Sequence, residues 1–233
     1  MFKLKAFFTY FGGKHTLVEK YPDPKWSTIV ECFAGSAGYS TRFYNRKVML
    51  YDVNPRVFGT WDYLIKSSPS DIMALPIDFE DVRELTVCQE AKWLIGWWLG
   101  AGNFEPRNRK TPWSKLPGKE RQSWGEAIRL RLARQSALIK HWKVFNEGYD
   151  SAPDIKATWF IDPPYQRSGT RYTFHSLNYT FLSHWFKRRK GQIICCGQDG
   201  DNWANFTHLY TSAAITNTGG GARTTKEMIY TND

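Results

Sequence analysis

An acid, two imides and an aromatic ring stand in series at Asp162-Pro163-Pro164-Tyr165. They follow a short apolar run, Ala157-Thr158-Trp159-Phe160-Ile161, whose pattern predicts a buried strand. The four residues then fall at a strand's carboxyl end, where open α/β sheets bind their ligands. Proline has no N–H and a fixed φ, so two in succession hold neighbouring carbonyls and side chains still. A rigid acceptor beside a flat ring suits a planar ring bearing an amine, such as adenine. A Pro-Pro pair also ends strands in proteins that bind nothing there, so the tetrad alone leaves both readings open.

A second constellation narrows the choice. Ile29-Val30-Glu31-Cys32-Phe33 reads as a strand that runs into Ala34-Gly35-Ser36-Ala37-Gly38, with a helix predicted from Tyr39 to Asn45. Glycines at a strand-to-helix turn let backbone approach a ligand closely. A further strand, Val48-Met49-Leu50-Tyr51, ends at Asp52, twenty-one residues after Glu31. That separation is expected of neighbouring strand ends in a βαβ unit, and an acid there can hold the two hydroxyls of a ribose. Gly-x-x-Gly is not the dinucleotide-binding Gly-x-Gly-x-x-Gly. Glu31 and Asp52 together point to a nucleoside-bearing cofactor without a demand for pyrophosphate.

Composition bounds the rest. A chain of 233 residues can bury one full core and carry a small second lobe. Eleven tryptophans and twelve tyrosines are more than a core needs, so some are available for stacking. The apolar run Trp93 to Ala101 is too short to span a bilayer. The opening residues Met1 to Phe8 are only faintly signal-like and read as the start of the fold. Cys32, Cys88, Cys195 and Cys196 lack Cys-x-x-Cys spacing, which fits four free thiols in a reducing compartment and no zinc site. The formal net charge is +10. From Asn103 to Lys143 eleven Lys or Arg face three Glu, so this segment holds most of the excess. Such a patch attracts polyanions.

Residues 27–66 read as strand, helix, strand, helix, and 67–90 show no clear period. An aromatic-rich buried helix is predicted over 91–101, then a long polar loop from Gly102 to Gln122, broken by Pro106, Pro112 and Pro117. Ser123 and Glu126 form a capping-box pattern for a helix from Trp124, with Ile128, Leu132, Ile139 and Trp142 near one face. Tyr179 to Lys190 reads as a helix, Gln192 to Cys196 as a strand and Glu227 to Tyr230 as a late strand. The expectation is one α/β domain, residues 1–60 and 144–233, interrupted by a basic, mostly helical insertion over 61–143.

Four pieces of the sequence, in order, resemble the Dam-like, D12-class DNA adenine-N6 methyltransferases. Tyr10-Phe11-Gly12-Gly13-Lys14 is similar to the family's N-terminal Tyr-x-Gly-Gly-Lys, and Glu31 to Gly38 to its S-adenosylmethionine loop. Asp52-Val53-Asn54 is similar to its ribose site, and Asp162-Pro163-Pro164-Tyr165 to its catalytic tetrad. Asn146-Glu147-Gly148-Tyr149 and Lys226-Glu227-Met228-Ile229 are weaker matches. The resemblance implies a class I S-adenosylmethionine-dependent methyltransferase fold, a seven-stranded mixed sheet with helices on both faces and a late antiparallel strand. It also implies a helical DNA-recognition domain inserted where the basic segment lies. The family often has Asp-Phe where Gly148-Tyr149 stands, so an acid contact to the cofactor's adenine amine is absent here or made by Glu147 or the backbone.

The resemblance assigns roles. Asp162, Pro163, Tyr165 and Lys14 form the catalytic set. Phe33, Gly35, Gly38, Asp52, Tyr149 and Asp162 form the cofactor set, with S-adenosylmethionine as cofactor and no metal. The basic segment itself, and not the resemblance, supplies Arg107, Arg109, Lys110, Arg121 and Arg129 as candidate contacts to double-stranded DNA. The implied protein is a monomer or weak dimer, off the membrane, in the cytoplasm of a bacterium or a phage-infected host. Cytosine-C5 methylation is not supported, because that chemistry uses a Cys after a Pro, and the cysteines here follow Glu31, Val87, Ile194 and Cys195. Cytosine-N4 methylation is the nearest rival. RNA or protein amide-nitrogen methylation is another rival, though that class typically has Asn where Asp162 stands, and a non-catalytic DNA-binding module on the same scaffold is a further one.

Overall fold

The computed structural model describes residues 3–214 and 223–232. Seven strands form one sheet in the order β3-β2-β1-β4-β5-β7-β6. The central strands β1 (Thr28–Cys32), β2 (Lys47–Tyr51), β4 (Ala157–Ile161) and β5 (Gly191–Gln198) run parallel, and the short β3 (Lys143–Phe145) extends them at one edge. At the other end β7 (Arg223–Thr231) lies antiparallel between β5 and β6 (Thr207–Ala214). Strand order reverses between β1 and β4, and their carboxyl ends open the crevice where such sheets bind ligands.

Successive strand residues point to opposite faces. Ile29, Phe160, Ile194 and Cys196 enter a large cluster with Phe7, Phe8, Trp61, Trp97, Trp124 and Trp142. Their neighbours Val30, Trp159, Ile193 and Cys195 enter a smaller one with Leu182 and Phe186. Both faces are covered, so these strands read as continuous apolar runs. The vicinal cysteines therefore belong to opposite faces, and all four thiols are free. Leu4, Phe7 and Phe8 are buried in the larger cluster, so the opening segment is part of the fold; Met1 and Phe2 lie outside the described residues.

Between β2 and β3 the chain carries four α-helices separated by loops, the longest of them before α5. The helices are α2 (Pro55–Lys66), α3 (Pro69–Met73), α4 (Gln89–Trp97) and α5 (Glu126–Ser136), after the short α1 (Gly38–Arg42) that links β1 to β2. Trp61, Trp97 and Trp124 bury their rings against the sheet and donate their indole N–H groups to Gly35, Thr60 and Pro76. This excursion thus shares the core of one sheet face instead of closing a core of its own. The helix α6 (Tyr179–Lys187) covers the other face.

Some local expectations change. The helix predicted from Ser123 starts at Glu126, with Gly125 at the cap and no side-chain cap. The Ser123 hydroxyl instead donates to the Ser114 and Lys119 carbonyls, while Trp124 is drawn into the core. A capping box does exist, at Ser68 and Asp71, in the stretch without a clear period. The strands β3 and β6 carry little apolar pattern and are not expected from their own residues; α1 and α6 each end three residues early. The topology and its flanking helices are those of the class I S-adenosylmethionine-dependent methyltransferase fold.

Candidate active site

One cavity of about 580 Å³ opens at the carboxyl ends of β1, β2 and β4. Its lining joins Lys14, the Phe33–Gly38 turn, Asp52–Asn54, Glu147–Asp150 and Asp162–Tyr165. Every residue of the predicted catalytic and cofactor sets lies on this wall.

The turn after β1 is held in an unusual conformation. Phe33, Gly35 and Ala37 all have positive φ, at 63°, 46° and 48°. Two of these are not glycine, and such backbone costs of order 1–3 kcal/mol each, which surrounding structure must offset. Trp61 supplies part of that support through Gly35 O at 2.8 Å. Phe33 lies against Tyr149, with ring centroids 5.3 Å apart. Gly38 allows a close approach by the chain itself: a Cβ there would stand 2.9 Å from His15 N and 3.0 Å from the Lys14 carbonyl carbon. The Gly13-Lys14 turn is thereby pressed onto the loop after β1, which is why a lysine far from that loop in sequence enters the site.

Asp52 is fixed by backbone. Its carboxylate accepts from Gly35 N and Asn54 N, each at 2.9 Å. Asn54 then caps α2 by accepting from Arg56 N at 2.9 Å, with Pro55 in the first turn. Burial pushes the Asp52 carboxyl up to about 6, against the two amides that favour its charge. Glu31 at the end of β1 is buried and accepts from Ser40 N. Burial raises its pKa to about 8, against that amide.

Asp162 is held by a side chain instead. Lys14 Nζ donates to both of its oxygens at 2.8 Å and to Gly12 O at 3.1 Å. Burial raises the Asp162 pKa, and the Lys14 ammonium opposes it. Burial likewise works against the Lys14 charge, but Asp162 and Glu227 outweigh it and hold its pKa above the ordinary lysine value. Tyr165 donates its hydroxyl to Glu227 at 2.6 Å, and its ring centroid is 5.1 Å from Lys14 Nζ. Tyr179 donates to Pro164 O at 2.7 Å and Gly169 N to Tyr165 O at 2.7 Å, so the tetrad is braced from both sides.

Two residues gain a place that their motifs did not give them. Glu227, part of the weak C-terminal match, lies beside Lys14 and Tyr165. Asp150 follows Tyr149 on the cavity wall and is a second acid beside Glu147. A pattern centred on residues 146–149 stops one residue short of it.

The basic residues do not all share one surface. Arg107 lines a separate cleft with Arg56, Arg83 and Lys92. Arg109 and Arg83 both pair with the buried Asp81, at 2.9 and 2.6 Å. Arg129 is turned to Leu75 O at 2.8 Å. Glu105 separates this cleft from the main cavity: it accepts from Arg56 on one side and from Asn54 and Thr173 on the other. Lys110 is half-buried and Arg121 exposed.

The cavity fits a nucleoside-bearing cofactor. Asp52 offers carboxylate lone pairs beside its two amides. The Ser36 hydroxyl is buried on the wall with no partner. Phe33 and Tyr149 offer apolar ring surface. Among the described residues no group of three or more His, Cys, Asp and Glu is placed to hold a metal ion. No helix among them is long and apolar enough to cross a membrane. Comparison with models of protein families gives no match for this chain, and comparison with curated proteins gives none either. The likeness therefore rests on the fold, which is class I S-adenosylmethionine-dependent methyltransferase-like.

Proposed function

We propose that this chain transfers a methyl group from S-adenosylmethionine to the N6 amine of an adenine flipped out of duplex DNA. The observation that carries the reading is the juxtaposition of Asp162-Pro163-Pro164-Tyr165 with Lys14 in the same cavity as Asp52 and the Gly35–Gly38 turn. One cavity thus has a ribose-holding acid at one end and an amine-accepting acid at the other.

The cofactor, when bound, supplies a sulfonium methyl already primed for displacement. The residues supply binding and alignment. Asp52 accepts from the ribose hydroxyls, and Phe33 and Tyr149, packed against each other, present one apolar wall to the cofactor base. Adenine's exocyclic nitrogen is a poor nucleophile because its lone pair is shared with the ring. Donation from that amine to the Asp162 carboxylate and the Pro163 carbonyl turns the lone pair toward the methyl, while Tyr165 stacks on the ring. A well-oriented pair gains about 7–11 kcal/mol over free encounter. Duplex DNA stacks the adenine out of reach, and flipping it costs a few kcal/mol.

The helical stretch 61–143 is proposed as the recognition part. Its Arg83, Lys92 and Arg107, with Arg56, line a cleft whose Glu105 accepts hydrogen bonds from the cavity residues Asn54 and Thr173. Cations there can meet phosphates next to a flipped nucleotide.

The test is transfer of labelled methyl from the cofactor to mixed DNA, RNA and protein, followed by nucleoside analysis. N6-methyladenine in DNA is expected. Recovery of N4-methylcytosine alone, or of label only in RNA or protein, overturns the reading.

A further inference from the structure

Glu227 lies on β7, opposite Gln198 of β5, and reaches under the tetrad from the antiparallel side of the sheet. Its Oε1 accepts from two tyrosine hydroxyls at 2.6 Å each, Tyr165 of the tetrad and the buried Tyr21. The same oxygen is 3.7 Å from Lys14 Nζ, too far for a good hydrogen bond. Its side chain is 14% exposed, so it is shielded from bulk water.

The three N–H donors of Lys14 are used by the two Asp162 oxygens and Gly12 O. An acceptor amine that donates to Asp162 competes with them. Lys14 must then release at least one carboxylate oxygen, and a buried ammonium short of partners is costly. Glu227 is the second carboxylate beside it, and a shift of roughly 1 Å brings Nζ into hydrogen-bonding range.

We infer that Glu227 is a positioning residue: it anchors Tyr165 by its hydroxyl and receives Lys14 as Asp162 turns to the acceptor amine. The inference rests on the functional reading above for the identity of that amine. The ammonium then stays paired throughout, and Asp162 is freed without unpairing a buried charge. Glu227 also raises the Asp162 pKa through like charge, after burial, which Lys14 opposes.

Two substitutions separate the parts. Glu227→Gln keeps an oxygen for the tyrosine hydroxyls but removes the charge that draws Lys14. Tyr165→Phe keeps the ring and the charge but removes the anchor. Glu227→Gln should lower kcat roughly tenfold, the effect of losing one charge-assisted interaction, with cofactor affinity and melting temperature near wild type. Its acid limb of kcat should move to lower pH. In the cofactor-free protein the Asp162 carboxyl, followed by carbon-13 NMR, should titrate at lower pH as well. Tyr165→Phe should raise KM for DNA and, because the Tyr165 hydroxyl favours the charged form of Asp162, move that titration to higher pH, opposite in sign to Glu227→Gln.

Wild-type kcat in Glu227→Gln, or an unshifted Asp162 titration, overturns the inference. So does a joint loss of cofactor affinity and melting temperature in both variants, which marks a purely structural role. If the wild type methylates no adenine in DNA, the functional reading fails, while the cofactor-free titration still decides whether Glu227 controls the Lys14–Asp162 pair.

Discussion

Asp52 and Asp162 both end parallel strands and line one cavity, yet they are held in opposite ways. Two backbone amides grip Asp52, and they cannot leave without unfolding the turns after β1 and β2. A lysine side chain grips Asp162, and it has a second carboxylate beside it. Backbone donors suit a group that binds the same ligand atoms throughout a reaction. An exchangeable side-chain donor suits a group whose partner changes during the reaction. Under the proposed function the difference divides the cavity into a fixed end for the cofactor and an adaptable end for the acceptor.

The largest effect tests the adaptable end. Asp162→Ala should lower turnover roughly 10³-fold or more, because it removes the carboxylate that orients the acceptor amine. Labelled-methyl incorporation into DNA measures it. Turnover within tenfold of wild type would erase the distinction between the two acids.

The fixed end predicts a pH step in binding. Asp52 titrates near 6, and ribose hydroxyls donate best to its ionised form. Ligand binding to the ionised form lowers the bound pKa, so affinity should rise with pH and level off above about 6. Cofactor titrations between pH 5 and 8 should lose that step in Asp52→Asn. A step of equal size in the variant would assign it to another group.

A smaller effect concerns the basic cleft, which should serve neither acid directly. Neutral substitutions at Lys92 and Arg107 in the cleft, and at Lys110 outside it, should weaken binding to all duplexes and lower the salt slope by about 1 for each phosphate no longer neutralised. Cofactor affinity should be unchanged. An unchanged slope across a salt series would move DNA binding elsewhere. Arg109 makes a useful contrast, because it pairs with buried Asp81. Arg109→Gln should lower the melting temperature while sparing cofactor affinity, and an unchanged melting temperature would show the pair to be dispensable.

The sequence made the site legible where chemistry is local. Asp52 and Asp162 follow apolar runs that both prove to be strands, and strand ends place side chains predictably. Lys14 is legible as a motif residue, but its partner is not, since the pair spans 148 positions. Glu227 is obscured for the same reason: it reaches the site only because β7 inserts beside β5. The capping pattern at Ser123 misleads because burial of Trp124 and hydrogen bonds to Ser114 and Lys119 outweigh a local cap. Charge counting finds the basic segment but cannot see that Arg109 and Arg129 hold internal partners.

The division between the two acids is tested most directly by calorimetric titration of S-adenosylmethionine into Asp52→Ala, Asp162→Ala and wild type, all checked for folding. Asp52→Ala should bind roughly a hundredfold more weakly, as expected for removal of two charge-assisted hydrogen bonds of about 1.5 kcal/mol each. Asp162→Ala should bind within a few-fold of wild type. Equal loss of affinity in both folded variants would contradict the account.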